Sequence, residues 1–102
     1  VLITHADGFM GPVLCEVFRE RGAEVIADVD PLTDAGRPAK VVEAAGGVDV
    51  LVANLSIIAP STPAAEASDD EWRTTFAALV DPMQRLFRQA LCCICRSASL
   101  EP

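Results

Sequence analysis

The sequence predicts an α/β fold with a parallel sheet, made of three short strands and the helices that connect them. Short apolar runs alternate with amphipathic stretches in the first half, and each connection has room for one crossover helix. With 102 residues, 51% of them hydrophobic and 5% aromatic, the chain has the size and composition of one small globular domain. We expect residues 1–102 to form one partial domain that ends in a divergent tail at about residues 92–102.

The first half supplies two strands and two helices. The first strand is VLITH at residues 1–5, and the periodicity predicts a helix from about Gly11 to Arg21 that Gly22 ends. The second strand is EVIAD at residues 24–28. A single short helix is then predicted around Val41 and Val42, ending at the following pair of glycines.

The second half begins with a third strand, VDVLVAN at residues 48–54, whose nearly continuous apolar run predicts burial on both faces. Ser68 and Glu71 form an S-x-x-E capping box that begins the longest helix. Pro82 lies within this helix and should bend it, because proline removes one backbone donor. One apolar stripe runs along the helix: Trp72, Phe76, Leu79, Met83, Leu86, Ala90 and Ile94.

Composition and charge argue against several functional classes. The net charge of -7 and the pI of about 4.4 disfavour a nucleic-acid or anionic membrane surface, which needs clustered Lys and Arg. No apolar run approaches the roughly 18 residues of a membrane span. The chain starts at Val1 without a basic lead-in, so we expect a cytoplasmic protein whose sequence begins inside a longer gene product.

The cysteines do not indicate a metal site. Cys15 falls on the first helix, while Cys92, Cys93 and Cys95 stand together in CCIC. This cluster does not have the paired C-x-x-C spacing of a zinc site, and the single histidine, His5, is remote in sequence. We expect reduced, structural thiols and no bound metal.

The turn after the first strand reads THADGFMG at residues 4–11. In a dinucleotide-binding turn, glycines let the backbone approach the pyrophosphate, and the next helix presents its N-terminus to the negative charge. The pattern T-G-x-x-x-G-x-G of the short-chain dehydrogenases is matched here only at Thr4 and Gly11. His5 and Phe9 stand at its first two glycines, and the benzyl group needs volume that a phosphate would occupy. We therefore expect no cofactor.

The same stretch matches T-x-x-x-x-F-x-G, and so resembles the halohydrin dehalogenases, a cofactor-free branch of the short-chain dehydrogenase/reductase superfamily. The segments GAEVIAD, VDVLVAN and DDEWRTTFAALVDPMQRLFRQAL are similar to the B-type members of that family, over about residues 1–91. The resemblance implies the N-terminal half of a Rossmann-like three-layer fold. It also implies a lyase that interconverts vicinal haloalcohols and epoxides with halide release, without cofactor or metal.

The resemblance also assigns site residues. Phe9 would help to wall a halide pocket, and Thr4, Gly11 and Asn54 would be further halide or substrate pocket residues. The family's catalytic Ser-Tyr-Arg set lies downstream of the long helix, and this sequence contains no tyrosine. No catalytic residue is therefore assigned to the chain. The partners implied for a longer parent are a halide ion, a small haloalcohol or epoxide, and further copies of the protein bound through the long helix.

Plainer interpretations of the same residues remain open. His5 could simply end a strand at the surface, and Phe9 could be a core aromatic beneath the first helix. Asp28 occupies the position of a ribose-binding acid, yet it also suits a solvated or capping carboxylate. Asn54 could hydrogen-bond the neighbouring backbone rather than a substrate.

Two alternative functions stay beside the dehalogenase. One is a fragment of an NAD(P)-dependent short-chain dehydrogenase/reductase with a degenerate turn, and the other is a non-catalytic Rossmann-like remnant. In the short-chain dehydrogenases an asparagine on the long helix holds a water of the proton relay. Its position falls on Leu79, which cannot relay a proton, and this favours the dehalogenase over the oxidoreductase. The missing tyrosine favours the remnant. Ser97 or Ser99 in RSAS could be left over from the segment around the catalytic serine, but neither is assigned.

Overall fold

The computed structural model describes residues 1–57 and 61–99, and its centre is a three-stranded parallel sheet. The strands are β1 (Leu2–Ile3), β2 (Ile26–Ala27) and β3 (Leu51–Val52), in the order β2-β1-β3. Both pairings with β1 are parallel. The predicted α/β fold with a parallel sheet is confirmed.

Helices connect the strands and follow the last one. They are α1 (Gly11–Glu20), α2 (Arg37–Ala44), α3 (Asp69–Leu79) and α4 (Asp81–Ser99), with a short 3₁₀ turn at Ala64–Glu66. Gly22 and Gly46 follow α1 and α2 with φ of 87° and 81°, the left-handed conformation that commonly ends a helix. The two predicted helix stops are therefore confirmed. No helix in the described part of the chain is both long enough and apolar enough to span a bilayer.

The strands are shorter and less buried than the sequence predicts. Each covers two residues, and β3 is half-buried, although burial on both faces was expected. Val50, just before β3, is 43% exposed. The reason is position: β3 lies at the edge of the described sheet, so the helices that cover β1 reach it only in part.

The predicted long helix is two helices. Ser68 caps α3 as expected, because its Oγ accepts a hydrogen bond from the Glu71 N–H at 3.2 Å. Pro82, fully buried in the first turn of α4, does more than bend the helix. It has no N–H for the Ala78 carbonyl and its ring crowds that turn, so α3 ends at Leu79 and α4 begins after Val80.

The segment predicted to diverge from about residue 92 begins within α4. The helix continues through residue 99, and the divergence of the tail from the family stays a prediction. The last three residues, 100–102, lie outside the described part of the chain.

Two apolar clusters lie on opposite sides of the sheet, because successive residues of a strand point to opposite faces. Leu2 packs into the larger cluster with residues of α2 and α4, while Ile3 packs on the other side with Ala6 and Cys15. The larger cluster contains Leu2, Leu32, Val41, Val42, Val48, Leu86 and Ala90. The molecule therefore has three layers, with α1 on one side of the sheet and the α2–α4 pair on the other.

Candidate functional site

The turn between β1 and α1 lies where the direction of strand order reverses. β1 has β2 on one side and β3 on the other, so the segments that leave the carboxyl ends of these strands diverge. In open α/β sheets this switch point is where ligands bind. The candidate site is therefore the turn at residues 5–10 and the segments that follow β2 and β3.

The backbone of this turn is left-handed at two places, His5 with φ of 44° and Phe9 with φ of 52°. These are the two positions at which the dehydrogenase pattern has glycine. A side chain in this region is strained by about 1–3 kcal/mol, so the surrounding contacts must hold the turn. The Gly8 N–H donates to the His5 carbonyl at 3.0 Å, and the Gly11 N–H donates to the Gly8 carbonyl at 2.8 Å.

Asn54 supplies the main contacts that hold the turn. Its Nδ2 donates to the carbonyl oxygens of His5 at 2.9 Å and Gly8 at 3.0 Å. Thr4 fixes the other side of Asn54, because its Oγ1 donates to the Asn54 carbonyl at 2.7 Å. Both Thr4 and Asn54 are buried. Asn54 thus hydrogen-bonds the backbone, as one interpretation expected, and the place of both residues in a halide pocket stays a prediction.

His5 does not simply end a strand at the surface. It is half-buried, and its Nδ1 accepts a hydrogen bond from the Ser56 N–H at 3.0 Å. When Nδ1 is an acceptor, the neutral ring carries its proton on Nε2. That nitrogen is buried and has no hydrogen-bond partner among the described residues. His5 therefore joins the β1 turn to the segment after β3.

Two glycines allow close approaches within the site. A Cβ at Gly11 would lie 2.5 Å from the Ala6 carbonyl oxygen and 2.6 Å from that of His5, so α1 can begin against the turn only with glycine here. A Cβ at Gly8 would overlap the Ser56 hydroxyl, which can rotate away. Gly11 thus serves close packing, and its predicted place in a halide pocket stays a prediction.

Phe9 is not a core aromatic. Its side chain is 77% exposed, and Met10 beside it is also exposed. The structure thus corrects the core interpretation, and the role of Phe9 as a pocket wall stays a prediction. Asp7 is exposed in the same turn, so a carboxylate lies close to the start of α1.

A cavity of about 300 Å³ opens beside the turn, at the carboxyl ends of all three strands. Its walls include His5 and Asp7 after β1, Val29 and Thr33 after β2, and Ser56 after β3. Phe9, Thr4, Gly11 and Asn54 are not among its lining residues. Sequence reasoning missed Ser56 and Thr33, although both follow strands whose carboxyl ends must meet at this edge.

Asp28 ends β2 and closes a turn. Its carboxylate accepts a hydrogen bond from the Asp30 N–H at 3.2 Å, and Asp30 forms a half-exposed ion pair with Arg37 at 2.5 Å. Burial raises the pKa of Asp28, and the nearby charge of Asp30 raises it further. Asp28 therefore binds the backbone of its own turn, as the plainer interpretation expected, and nothing here tests a ribose-binding role. Among the side chains that the structure describes, no group of three or more His, Cys, Asp or Glu could hold a metal ion.

No protein-family model and no curated protein matches the sequence. Solved structures do match the fold. A short-chain dehydrogenase/reductase from Brucella melitensis, described as a glucose/ribitol dehydrogenase, is 26% identical with a TM-score of 0.76 over 90% of this chain. A short chain dehydrogenase from Mycobacterium avium is 26% identical with a TM-score of 0.60 over 87% of this chain.

This chain spans about half of the Brucella protein, 51% of its length, and 32% of the Mycobacterium protein. The matched region agrees with the parallel sheet and the helix layers described above. The chain therefore has the Rossmann-like fold of the short-chain dehydrogenase/reductases over part of their length, and its structural neighbours support membership of that superfamily.

Proposed function

We propose that the chain is the N-terminal, ligand-binding half of a nicotinamide-dependent oxidoreductase of the short-chain dehydrogenase/reductase type. The observation that carries the proposal is the backbone of the β1 turn. It is left-handed at His5 and Phe9, the two positions where the family pattern has glycine. Gly11, the third glycine of that pattern, is present and closely packed. The Brucella and Mycobacterium structures are dehydrogenases by description, which supports the same proposal.

The backbone of the site suits a dinucleotide, whereas several of its side chains oppose one. The start of α1 would face the phosphates, and the cavity beside His5 and Ser56 would receive the adenosine portion. A bound nicotinamide would supply hydride transfer. Phe9 and the Asp7 carboxylate crowd and repel phosphate at the same turn. We therefore expect weak binding that improves when the glycine pattern is restored.

Titration calorimetry with NADH and NADPH on the 102-residue chain tests this proposal. The double variant His5→Gly, Phe9→Gly should bind at least about tenfold more tightly than the parent, which corresponds to about 1.4 kcal/mol. Phe87→Ala, which removes another exposed phenylalanine far from the turn, is the matched control and should bind like the parent. Absence of binding by both the parent and the double variant would contradict the proposal.

A second candidate function is that of the N-terminal half of a halohydrin dehalogenase. The side chains at the β1 turn favour it, whereas the backbone of that turn favours the oxidoreductase. His5 and Phe9 replace the glycines, and the half-buried Leu79 stands where the oxidoreductases have a relay asparagine. In this candidate the turn holds a halide. In a longer parent, a tyrosine outside this chain removes the hydroxyl proton of a haloalcohol, and the alkoxide displaces the neighbouring halide.

Halide binding separates the two candidates. In the unsubstituted 102-residue chain, bromide should broaden or shift the amide resonances of the turn. The variant Phe9→Gly should abolish that effect. A longer protein that contains this chain should then release halide from a small vicinal bromo-alcohol without added nucleotide. Nucleotide binding together with no response to bromide would contradict the dehalogenase candidate and leave the oxidoreductase.

We also propose that the outer face of α3 and α4 packs against a second copy of the protein. Large apolar side chains are exposed along it: Trp72, Phe76, Val80, Met83, Phe87 and Leu91. Sedimentation at roughly tens of micromolar should show a dimer or larger species, because an apolar surface of this length is unfavourable in water. The double variant Phe87→Ser, Leu91→Ser should shift the chain to monomer, while Val17→Ser on α1 should not. A monomeric parent would contradict this proposal.

A further inference from the structure

The last turns of α4 carry two thiols that the site at the sheet edge does not use. Cys92 and Cys95 are both exposed, and neither forms a disulfide within the described part of the chain. They lie three positions apart on a continuous helix, so their side chains are neighbours on one face, with Cβ atoms about 5–6 Å apart. Cys15, by contrast, is buried in the smaller apolar cluster.

The spacing of the two thiols bears on whether they could form a disulfide, a zinc site or a two-thiolate metal site. A disulfide needs Cβ atoms about 3.5–4.5 Å apart, so a direct bond between Cys92 and Cys95 would require the helix to unwind locally. Zinc takes four ligands, and among the side chains that the structure describes no third His, Cys, Asp or Glu joins this pair. One ion with metal–sulfur bonds of about 2.3 Å can span a sulfur separation of up to about 4.6 Å. Rotation about the Cα–Cβ bonds can bring the sulfur atoms of two helix neighbours to this separation, because their Cβ atoms are about 5–6 Å apart.

We propose that Cys92 and Cys95 form a two-thiolate site for a soft monovalent cation, Cu(I). Thiolates select soft ions of this kind over harder cations. Two S–H bonds break, two Cu–S bonds form and two protons pass to the solvent, while copper keeps its oxidation state. The complex carries one negative charge, and the guanidinium of Arg88, exposed one helical turn before Cys92, favours it.

Competition with the Cu(I) chelator bicinchoninate tests the site. The reduced 102-residue chain is titrated without oxygen, with ascorbate to hold copper as Cu(I). We expect one Cu(I) per chain. Cys92→Ser and Cys95→Ser should each weaken binding by about 100-fold or more, because the second thiolate binds as an intramolecular ligand at high effective concentration. Circular dichroism on each variant checks that the fold is intact.

Two further measurements can overturn the proposal. Cys93→Ser changes the neighbouring thiol in the sequence and should bind Cu(I) as the parent does. A loss in Cys93→Ser as large as in Cys92→Ser would contradict the assignment to this pair. A ratio of one Cu(I) to two chains would contradict a site within one helix, because the ion would then join two copies. NADH binding is measured separately, so failure here does not bear on the proposed oxidoreductase or dehalogenase site.

Discussion

The carboxyl edge of the sheet and the outer face of α3 and α4 differ in how completely their groups are satisfied. At the sheet edge, the buried polar groups of Thr4 and Asn54 have hydrogen-bond partners within the chain, and His5 Nε2 is the exception among the described residues there. On the helix face, large apolar side chains such as Trp72 and Phe87 are exposed. The first region is held in place by the chain itself, whereas the second lacks a covering surface in the described monomer.

Substitutions in the two regions should therefore have different effects, on the fold in one and on association in the other. At the sheet edge, single residues such as Asn54 and Gly11 fix a backbone conformation, so a single substitution there should affect the whole fold. On the helix face, exposed residues add little to the stability of one chain, and their substitution should mainly alter association. The following variants test the contrast, from the largest expected effect on stability to the smallest.

Replacing Asn54 should destabilise the chain most. Asn54→Leu removes the side-chain donor shared by the carbonyls of His5 and Gly8, which keep only the N–H groups of Gly8 and Gly11 as partners, and it leaves an apolar group against them at a partly buried site. We expect the free energy of unfolding to fall by about 2–3 kcal/mol, measured by urea denaturation. Phe87→Leu, a substitution on the helix face, is the control and should change it by less than about 0.5 kcal/mol. Equal effects of the two variants would contradict the contrast.

Gly11→Ala should destabilise by about 2 kcal/mol, because its new Cβ would meet backbone carbonyls that cannot move independently. Gly8→Ala is the matched variant, and its Cβ would overlap the Ser56 hydroxyl, which can rotate, while its other contacts are at ordinary distances. We expect a smaller loss for Gly8→Ala. The double variant Gly8→Ala, Ser56→Ala should recover part of that loss. Thermal denaturation of the three proteins gives the order, and a reversed order would show that the turn is packed differently.

Phe9→Gly should stabilise the chain. Its φ of 52° suits glycine, and its exposed ring contributes little packing. Relief of the strain exceeds the entropy that glycine adds to the unfolded chain, so we expect a gain of about 0.5–1 kcal/mol. His5→Gly should gain less, because it also loses the hydrogen bond from the Ser56 N–H. Urea denaturation of both variants at the same pH measures this, and a larger gain for His5→Gly would be the opposite of our expectation.

Asp28→Asn should have the smallest effect, and one that depends on pH. Burial and then the charge of Asp30 raise the pKa of Asp28 in the folded state above its unfolded value. Stability is therefore lost as the pH rises from the unfolded pKa through the folded pKa. Asn cannot ionise, so we expect Asp28→Asn to be slightly more stable than the parent at pH 7 and equal to it near about pH 3. A variant less stable than the parent at pH 7 would contradict the pKa direction.

Much of the fold could be predicted from the sequence, because the strands and helices follow local patterns. Gly22 and Gly46 end helices as predicted, and Ser68 caps α3. The sequence predicts a bend at Pro82 rather than the division of the long helix at Val80, since a proline either bends or ends a helix depending on how its surroundings pack. The half-buried state of β3 depends on which layers cover the sheet edge, and no local pattern encodes that.

The candidate site was less predictable than the fold. The sequence indicates the turn at residues 4–11, but side-chain types alone did not show that His5 and Phe9 adopt left-handed φ. Strain of that kind depends on contacts from a distant segment, here the amide of Asn54 and the N–H of Ser56. These partners are about 50 positions away in sequence. Only the meeting of strand ends in the folded sheet brings them together.

The most direct test of the central claim, that ligand binding belongs to the sheet edge, is a map of amide chemical shifts during an NADH titration of the ¹⁵N-labelled chain. We expect the changes to lie at Gly8, Gly11, Thr33 and Ser56, which surround the turn and its cavity. The amides of α4 between Met83 and Leu91 should not shift. Changes confined to that helix face, or no changes in either the parent or the His5→Gly, Phe9→Gly variant, would contradict the claim.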